Sequence, residues 1–217
     1  MSFSDFTDKQ SWAFNQSVVM KAAGNQCNAA HHGSCHNFSL EWLSFVLQQH
    51  ADGVTMTAGA TARRQHMSKM MTVKSAIVTQ PAFGRYWGSG GYDRADSMMA
   101  QLRGLEMKTV MSERPYSITA ITTVLNKTKR TGYVLTFWFT KGGGHSIALY
   151  RSGALLGAGH AIAFDPNLGE YNMEPNYFGT WLRSFFKHYD TYFTATAGLV
   201  NTAAMKAAHK GHLPFKR

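Results

Sequence analysis

Gly33-Ser34-Cys35-His36-Asn37-Phe38-Ser39-Leu40-Glu41-Trp42-Leu43-Ser44-Phe45-Val46-Leu47-Gln48-Gln49 reads as a helix that is buried on most of its surface. Phe38, Leu40, Trp42, Leu43, Phe45, Val46 and Leu47 are too densely packed for one exposed amphipathic stripe, and Ser34 stands where an N-cap residue belongs. The thiol of Cys35 then falls on the first turn. There the positive end of the helix dipole and free backbone N–H groups favour a thiolate, the form in which sulfur is a nucleophile. The same N–H groups can hold the oxyanion that forms after attack on a carbonyl. The plain alternative is a small buried apolar residue, the common fate of a free cysteine.

A thiol nucleophile needs a base, and the base needs something to orient it. Working outward, His145 follows Gly142-Gly143-Gly144 and opens the apolar run Ser146 to Tyr150, and Asp165 ends the run Ala161 to Phe164 before Pro166-Asn167. If these runs are neighbouring antiparallel strands, the carboxylate can accept the imidazole N–H and fix its tautomer. Each residue also has an ordinary reading, His145 as a strand-edge histidine and Asp165 as a turn starter. His160 competes as the base, but it sits five residues from Asp165 on the same run, where alternation puts the two on opposite faces.

Gly33-x-Cys35-x-x-x-Ser39-x-x-Trp42, His145 before an apolar strand, and Phe164-Asp165-Pro166-Asn167-x-Gly169-Glu170-Tyr171 together resemble the YopT/AvrPphB-type cysteine peptidases. The resemblance covers residues 33 to 171. It implies a papain-like fold with the nucleophile helix packed on a central antiparallel sheet. It implies Cys35 as nucleophile, His145 as general base and acid, and Asp165 as the orienting carboxylate. It also implies a bacterial effector or toxin that is secreted without a cleavable signal and hydrolyses a protein in the target-cell cytoplasm. The family's oxyanion side-chain amide is expected a few residues before the nucleophile; the nearest amides here are Asn28 and Gln26, seven and nine positions upstream.

The remaining pattern is that of an α+β domain. Helices are expected over Ser11 to Ala23, Arg63 to Thr79, Arg94 to Leu105, Tyr116 to Leu125 (with Pro115 at its first turn) and Asn176 to Tyr189. Strands are expected over Tyr133 to Thr140, His145 to Arg151, His160 to Phe164 and Thr191 to Ala197. Residues 1–217 form one domain on this reading, with an insertion at about 51–91 and a flexible basic tail after about 201. The methionines at 67, 70, 71, 98, 99 and 107 suit adaptable core filler or, alternatively, a plastic partner surface.

Twenty-two Lys and Arg against twelve Asp and Glu leave a net charge of +10, which favours encounter with acidic partners or an anionic membrane surface. The basic residues are scattered and form no recognition-helix pattern, so specific nucleic-acid binding is not expected. The first residues, Met1 to Asp8, lack the basic and apolar regions of a signal peptide. Two cysteines exclude a disulfide framework. Cys27, His31, His32, Cys35 and His36 are zinc-type ligands in one cluster, but a closed site would consume the thiol and leave His145 and Asp165 without a role, so neither metal nor cofactor is expected. Partners follow from the peptidase reading: a protein substrate, and a secretion chaperone or cognate inhibitor. A glutamine deamidase, acyltransferase or amidase would use the same thiol chemistry, and a basic binding module would use none of it.

Overall fold

The computed structural model describes residues 2–24, 34–111, 117–139, 144–153, 159–194 and 200–209. A 3-10 helix (Phe3–Lys9) leads to β1 (Gln10–Ala13), α1 (Gln16–Ala22) and α2 (Cys35–Ala51). Then come α3 (Ala60–Ser68), α4 (Met70–Gln101), β2 (Lys108–Met111) and α5 (Ile118–Lys127). The chain continues through β3 (Thr131–Phe139), β4 (Gly144–Arg151), β5 (Ala161–Asp165), β6 (Gly169–Met173), α6 (Pro175–Thr194) and β7 (Val200–His209). The seven strands form one sheet in the order β1-β6-β5-β4-β3-β7-β2, with every neighbouring pair antiparallel. This is the α+β arrangement that the sequence implied.

Alternation along the central strands divides the core in two. Val134, Ala148, Tyr150, Ile162 and Phe164 face α2 and the helices beyond it, in a cluster with Phe38, Leu40, Trp42, Leu43, Met67, Val73 and Met99. Leu135, Ile147, Leu149, Ala161 and Ala163 face α5 and α6, in a cluster with Phe178, Trp181, Leu182 and Phe185. The sheet is thus a middle layer. Met67 and Met99 act as core filler, whereas Met71 is 84% exposed.

The structure corrects the sequence reading in several places. Ser11 to Ala23 is not one helix: Trp12 and Ala13 pair with Glu170 and Gly169, and α1 starts only after Asn15, whose side chain caps the N–H groups of Ser17 and Val18 at 3.0 and 3.3 Å. Backbone pairing with β6 outweighs the local helical spacing. α5 is capped by Ser117, which accepts from Ala120 N–H at 3.2 Å; Pro115 lies outside the described residues. Helical structure covers most of 60–101, with a break at Gly91, whose φ is +76°. Thr191 to Thr194, read as the start of a late strand running to Ala197, belong to α6, which runs on to Thr194; residues 195–197 lie outside the described residues. Residues read as tail instead form β7, which enters the sheet between β3 and β2. Residues 210–217 are outside the described residues.

Candidate active site

Cys35 is the first residue of α2 and is 8% exposed. Ser34 occupies the N-cap position and its carbonyl accepts from Phe38 N–H at 2.8 Å, although its hydroxyl makes no capping bond. The N–H groups of Cys35, His36 and Asn37 precede the first intrahelical donor, so they are the orphan donors of this helix end. Negative charge on Sγ, or on an oxyanion beside it, is stabilised there by the helix dipole.

The motif spacing around Cys35 has a geometric cause. Ser39 lies one turn further on, on the same face, and its hydroxyl donates to the carbonyl of Ser146 at 3.0 Å in the buried interface. Ser146 adjoins His145, so this bond latches the thiol helix to the imidazole strand. Trp42 stacks on Phe164 with ring centroids 5.6 Å apart and planes at 9°, and its indole N–H donates to Glu170 Oε2 at 2.8 Å. Gly132 on β3 lies where a Cβ would collide with Leu43, so its missing side chain lets α2 approach the sheet.

His145 is buried near the start of β4, opposite Phe137 of β3. Its Nε2–H donates to Asp165 Oδ1 at 3.0 Å. Cys35 acts on the ring from close by and raises its pKa, and with Nε2 taken by Asp165, Nδ1 is the nitrogen left for the thiol. Burial alone would lower the imidazole pKa, but Asp165 and Cys35 outweigh it and push the value up to about 10. The imidazolium form therefore dominates at neutral pH. The ring is edged by Phe137 and stacked on Tyr189, with centroids 5.2 Å apart at 27°.

Asp165 ends β5 with no solvent exposure, and both of its oxygens are engaged. Oδ1 also accepts from Asn167 N–H at 2.6 Å, while Oδ2 accepts from the Tyr189 hydroxyl at 2.6 Å. Ala148 pairs with Phe164 in the β4–β5 ladder, which brings the end of β5 alongside the start of β4. One fold element therefore delivers each group: helix α2 the thiol, β4 the imidazole and β5 the carboxylate.

The rival groupings are not assembled in the same way. His160 is exposed, precedes β5 and donates its backbone N–H to Ser152 Oγ, at the end of the β4–β5 ladder remote from His145. Gln26, Asn28, Cys27, His31 and His32 lie outside the described residues. His36 is turned toward α4, its ring tilted at 31° against Phe83 and its Nε2 2.9 Å from Asp96 Oδ1. That pair is close but not aligned as a hydrogen bond, while His36 Nδ1 lies 3.5 Å from Ser146 Oγ. Among the described residues no three His, Cys, Asp or Glu side chains form a metal-binding group.

Sequence reasoning missed two features around the site. Arg63 of α3 is fully buried and forks onto Glu170, with Nε–Oε2 and Nη2–Oε1 both at 2.7 Å. These residues are 107 positions apart, and nothing local marks either as buried. Tyr189 was visible only as the last aromatic of the expected helix; its position four after Phe185 puts it on the sheet-facing side, which was the available signal.

The sequence matches the model of the Peptidase_C58 family, described as Yersinia/Haemophilus virulence surface antigen, over residues 2–207. No curated protein matches the chain. Among solved structures it is similar to the Pseudomonas avirulence protein AvrPphB, with 17% identity and a TM-score of 0.60, covering 97% of this chain and 100% of that one. Identity that low speaks for the fold alone, and the fold is the papain-like one implied by the motifs. The match over nearly the whole length places the chain in the Peptidase_C58 family of cysteine peptidases.

Proposed function

We propose that this peptidase cuts a protein of a target cell through an acyl-enzyme on Cys35, with His145 moving the protons and Asp165 orienting the imidazole. The observation that carries the reading is the buried imidazole of His145, hydrogen-bonded to Asp165 and electrostatically coupled to Cys35. With the proton on His145, the sulfur attacks the carbonyl carbon of the scissile amide, and the oxyanion faces the first-turn N–H groups of α2. As the tetrahedral intermediate collapses, the imidazolium gives its proton to the departing amine and the C–N bond breaks, leaving a thioester. His145 then takes a proton from water, the hydroxide attacks the thioester, and the C–S bond breaks to release the acid.

Family membership makes a protein the substrate class and a bacterial effector the setting. Delivery without a cleavable signal, action in the target-cell cytoplasm and a secretion chaperone or cognate inhibitor belong to the same proposal. The net charge of +10 supports encounter with substrates at anionic membrane surfaces. No helix among the described residues is long and apolar enough to cross a membrane.

The test is product analysis in a eukaryotic cell extract, comparing the wild type with Cys35→Ala. New protein N-termini that need Cys35 are expected. Conversion of glutamine amides to acids without chain cleavage would replace the peptidase reading with a deamidase, and identical products from both proteins would remove Cys35 from the chemistry.

A further inference from the structure

We infer that Tyr189 is a positioning residue that fixes the carboxylate of Asp165 against the His145 ring, an inference that rests on the Cys35–His145–Asp165 reading. Asp165 Oδ1 already receives two donors, His145 Nε2–H and the backbone N–H of Asn167. That set fixes one oxygen but leaves rotation about the Cβ–Cγ bond. The Tyr189 hydroxyl holds the other oxygen at 2.6 Å and so defines the carboxylate plane. The same phenol ring lies against the face of the imidazole, which restricts the second partner as well. One residue from α6 thus braces both halves of the pair.

The direction of the phenolic proton is set from further away. Gln16, at the start of α1, donates from Nε2 to Asn167 Oδ1 at 2.7 Å, which fixes the amide of Asn167 with its nitrogen turned the other way. Asn167 Nδ2 donates to the Tyr189 hydroxyl at 3.2 Å. An oxygen that accepts there has its own proton free for Asp165. The chain of donors runs Gln16 to Asn167 to Tyr189 to Asp165, ending on the acceptor of the His145 proton. Burial and the neighbouring Asp165 carboxylate hold the phenol well above its ordinary ionisation range, so it remains a donor at any working pH. Asp165 and Cys35 act electrostatically on this hydroxyl, while the His145 ring is stacked on its phenol and His188 lies edge-on to it.

A merely structural role would predict something different. Tyr189→Phe keeps the ring, its packing against Phe137 and Phe185 and its stack on His145, and removes one oxygen. If the hydroxyl only filled space, the site would titrate unchanged. If it positions Asp165, its loss lets the carboxylate turn from Nε2, and the imidazolium loses part of its stabilisation.

The test is the pH dependence of Cys35 carboxymethylation by iodoacetate, read by mass spectrometry on intact wild type, Tyr189→Phe, Asn167→Ala and Asp165→Asn. An anionic reagent is favoured by a thiolate beside an imidazolium, so the wild type should give a bell with a high basic limb. Tyr189→Phe should move that limb to lower pH, in the direction of Asp165→Asn but less far, and slow turnover about tenfold with little change in KM. Asn167→Ala should move it the same way, which keeps the test open if one variant folds poorly. A Tyr189→Phe profile that superimposes on the wild type overturns the inference. So does an upward shift, which would mean that the hydroxyl only drew charge from a carboxylate already held in place. A wild-type profile without a basic limb instead removes the Cys35–His145 pair, and the inference with it.

Discussion

Replacing Arg63 by Met should destabilise the protein more than any surface charge change could. The guanidinium is completely buried and makes two bonds to Glu170, one to the carbonyl of Met56 at 2.6 Å and one to Gln49 Oε1 at 3.0 Å. Met matches much of its volume, so the loss is electrostatic and not a cavity. It leaves Glu170, also fully buried, with Trp42 Nε1–H as its remaining side-chain donor among the described residues. Orphaning one member of a buried ion pair costs about 3–5 kcal/mol. At a urea slope of about 2–3 kcal/mol per M, the midpoint should fall by more than ~1 M. Urea unfolding followed by tryptophan fluorescence and circular dichroism measures this directly. The double variant Arg63→Met, Glu170→Leu removes both charges and should recover part of the loss, because neither partner is then stranded. A midpoint shift in Arg63→Met of less than ~0.3 M, or a double variant worse than the sum of its singles, would refute the reasoning.

Further predictions concern the site. Ser39→Ala breaks the latch to the Ser146 carbonyl; it should cost about 1 kcal/mol in unfolding experiments and slow Cys35 alkylation by shifting α2 against β4. His145→Ala should abolish substrate cleavage, whereas His160→Ala, at the far end of the β4–β5 ladder, should retain it; the two cleavage assays separate the histidines. The imidazole of His145 is raised from 6.5 to about 10 in the folded protein, so its contribution to stability is complete below about 6.5 and is lost as the pH rises through about 10. The basic limb of activity should follow the same window, and a pH–rate profile of Asp165→Asn should show that limb displaced downward. Gly132→Ala forces a methyl into Leu43 and should cost about 1–3 kcal/mol by thermal or urea denaturation.

Helix α2 was legible because its signal is local: a dense apolar run, a cap-type residue and a thiol on the first turn. His145 and Asp165 were legible because each sits at the end of an apolar strand bounded by turn residues, and a single hairpin brings such ends together. Strand β1 was hidden because Trp12 and Ala13 owe their conformation to pairing with β6, more than 150 positions away. Strand β7 was hidden for a similar reason. Its Ala-rich sequence has little strand preference of its own, and hydrogen bonding to β3 supplies what composition does not. The Arg63–Glu170 pair and the Tyr189–Asp165 bond arise only when distant elements meet. Motif spacing therefore located the three candidate groups, while the contacts around them became visible only in three dimensions.

The central claim is that Cys35 is activated by His145, and the most direct measurement is competitive alkylation of the two thiols by a limiting amount of neutral iodoacetamide. Peptide mass spectrometry would report the rates at Cys35 and Cys27 within the same molecule, near pH 6, in the wild type and in His145→Ala. At that pH an ordinary thiol is almost entirely protonated. The account predicts that Cys35 reacts at least tenfold faster than Cys27 in the wild type, and that His145→Ala removes most of this advantage. Equal rates at the two cysteines, or a Cys35 rate indifferent to His145→Ala, would contradict it.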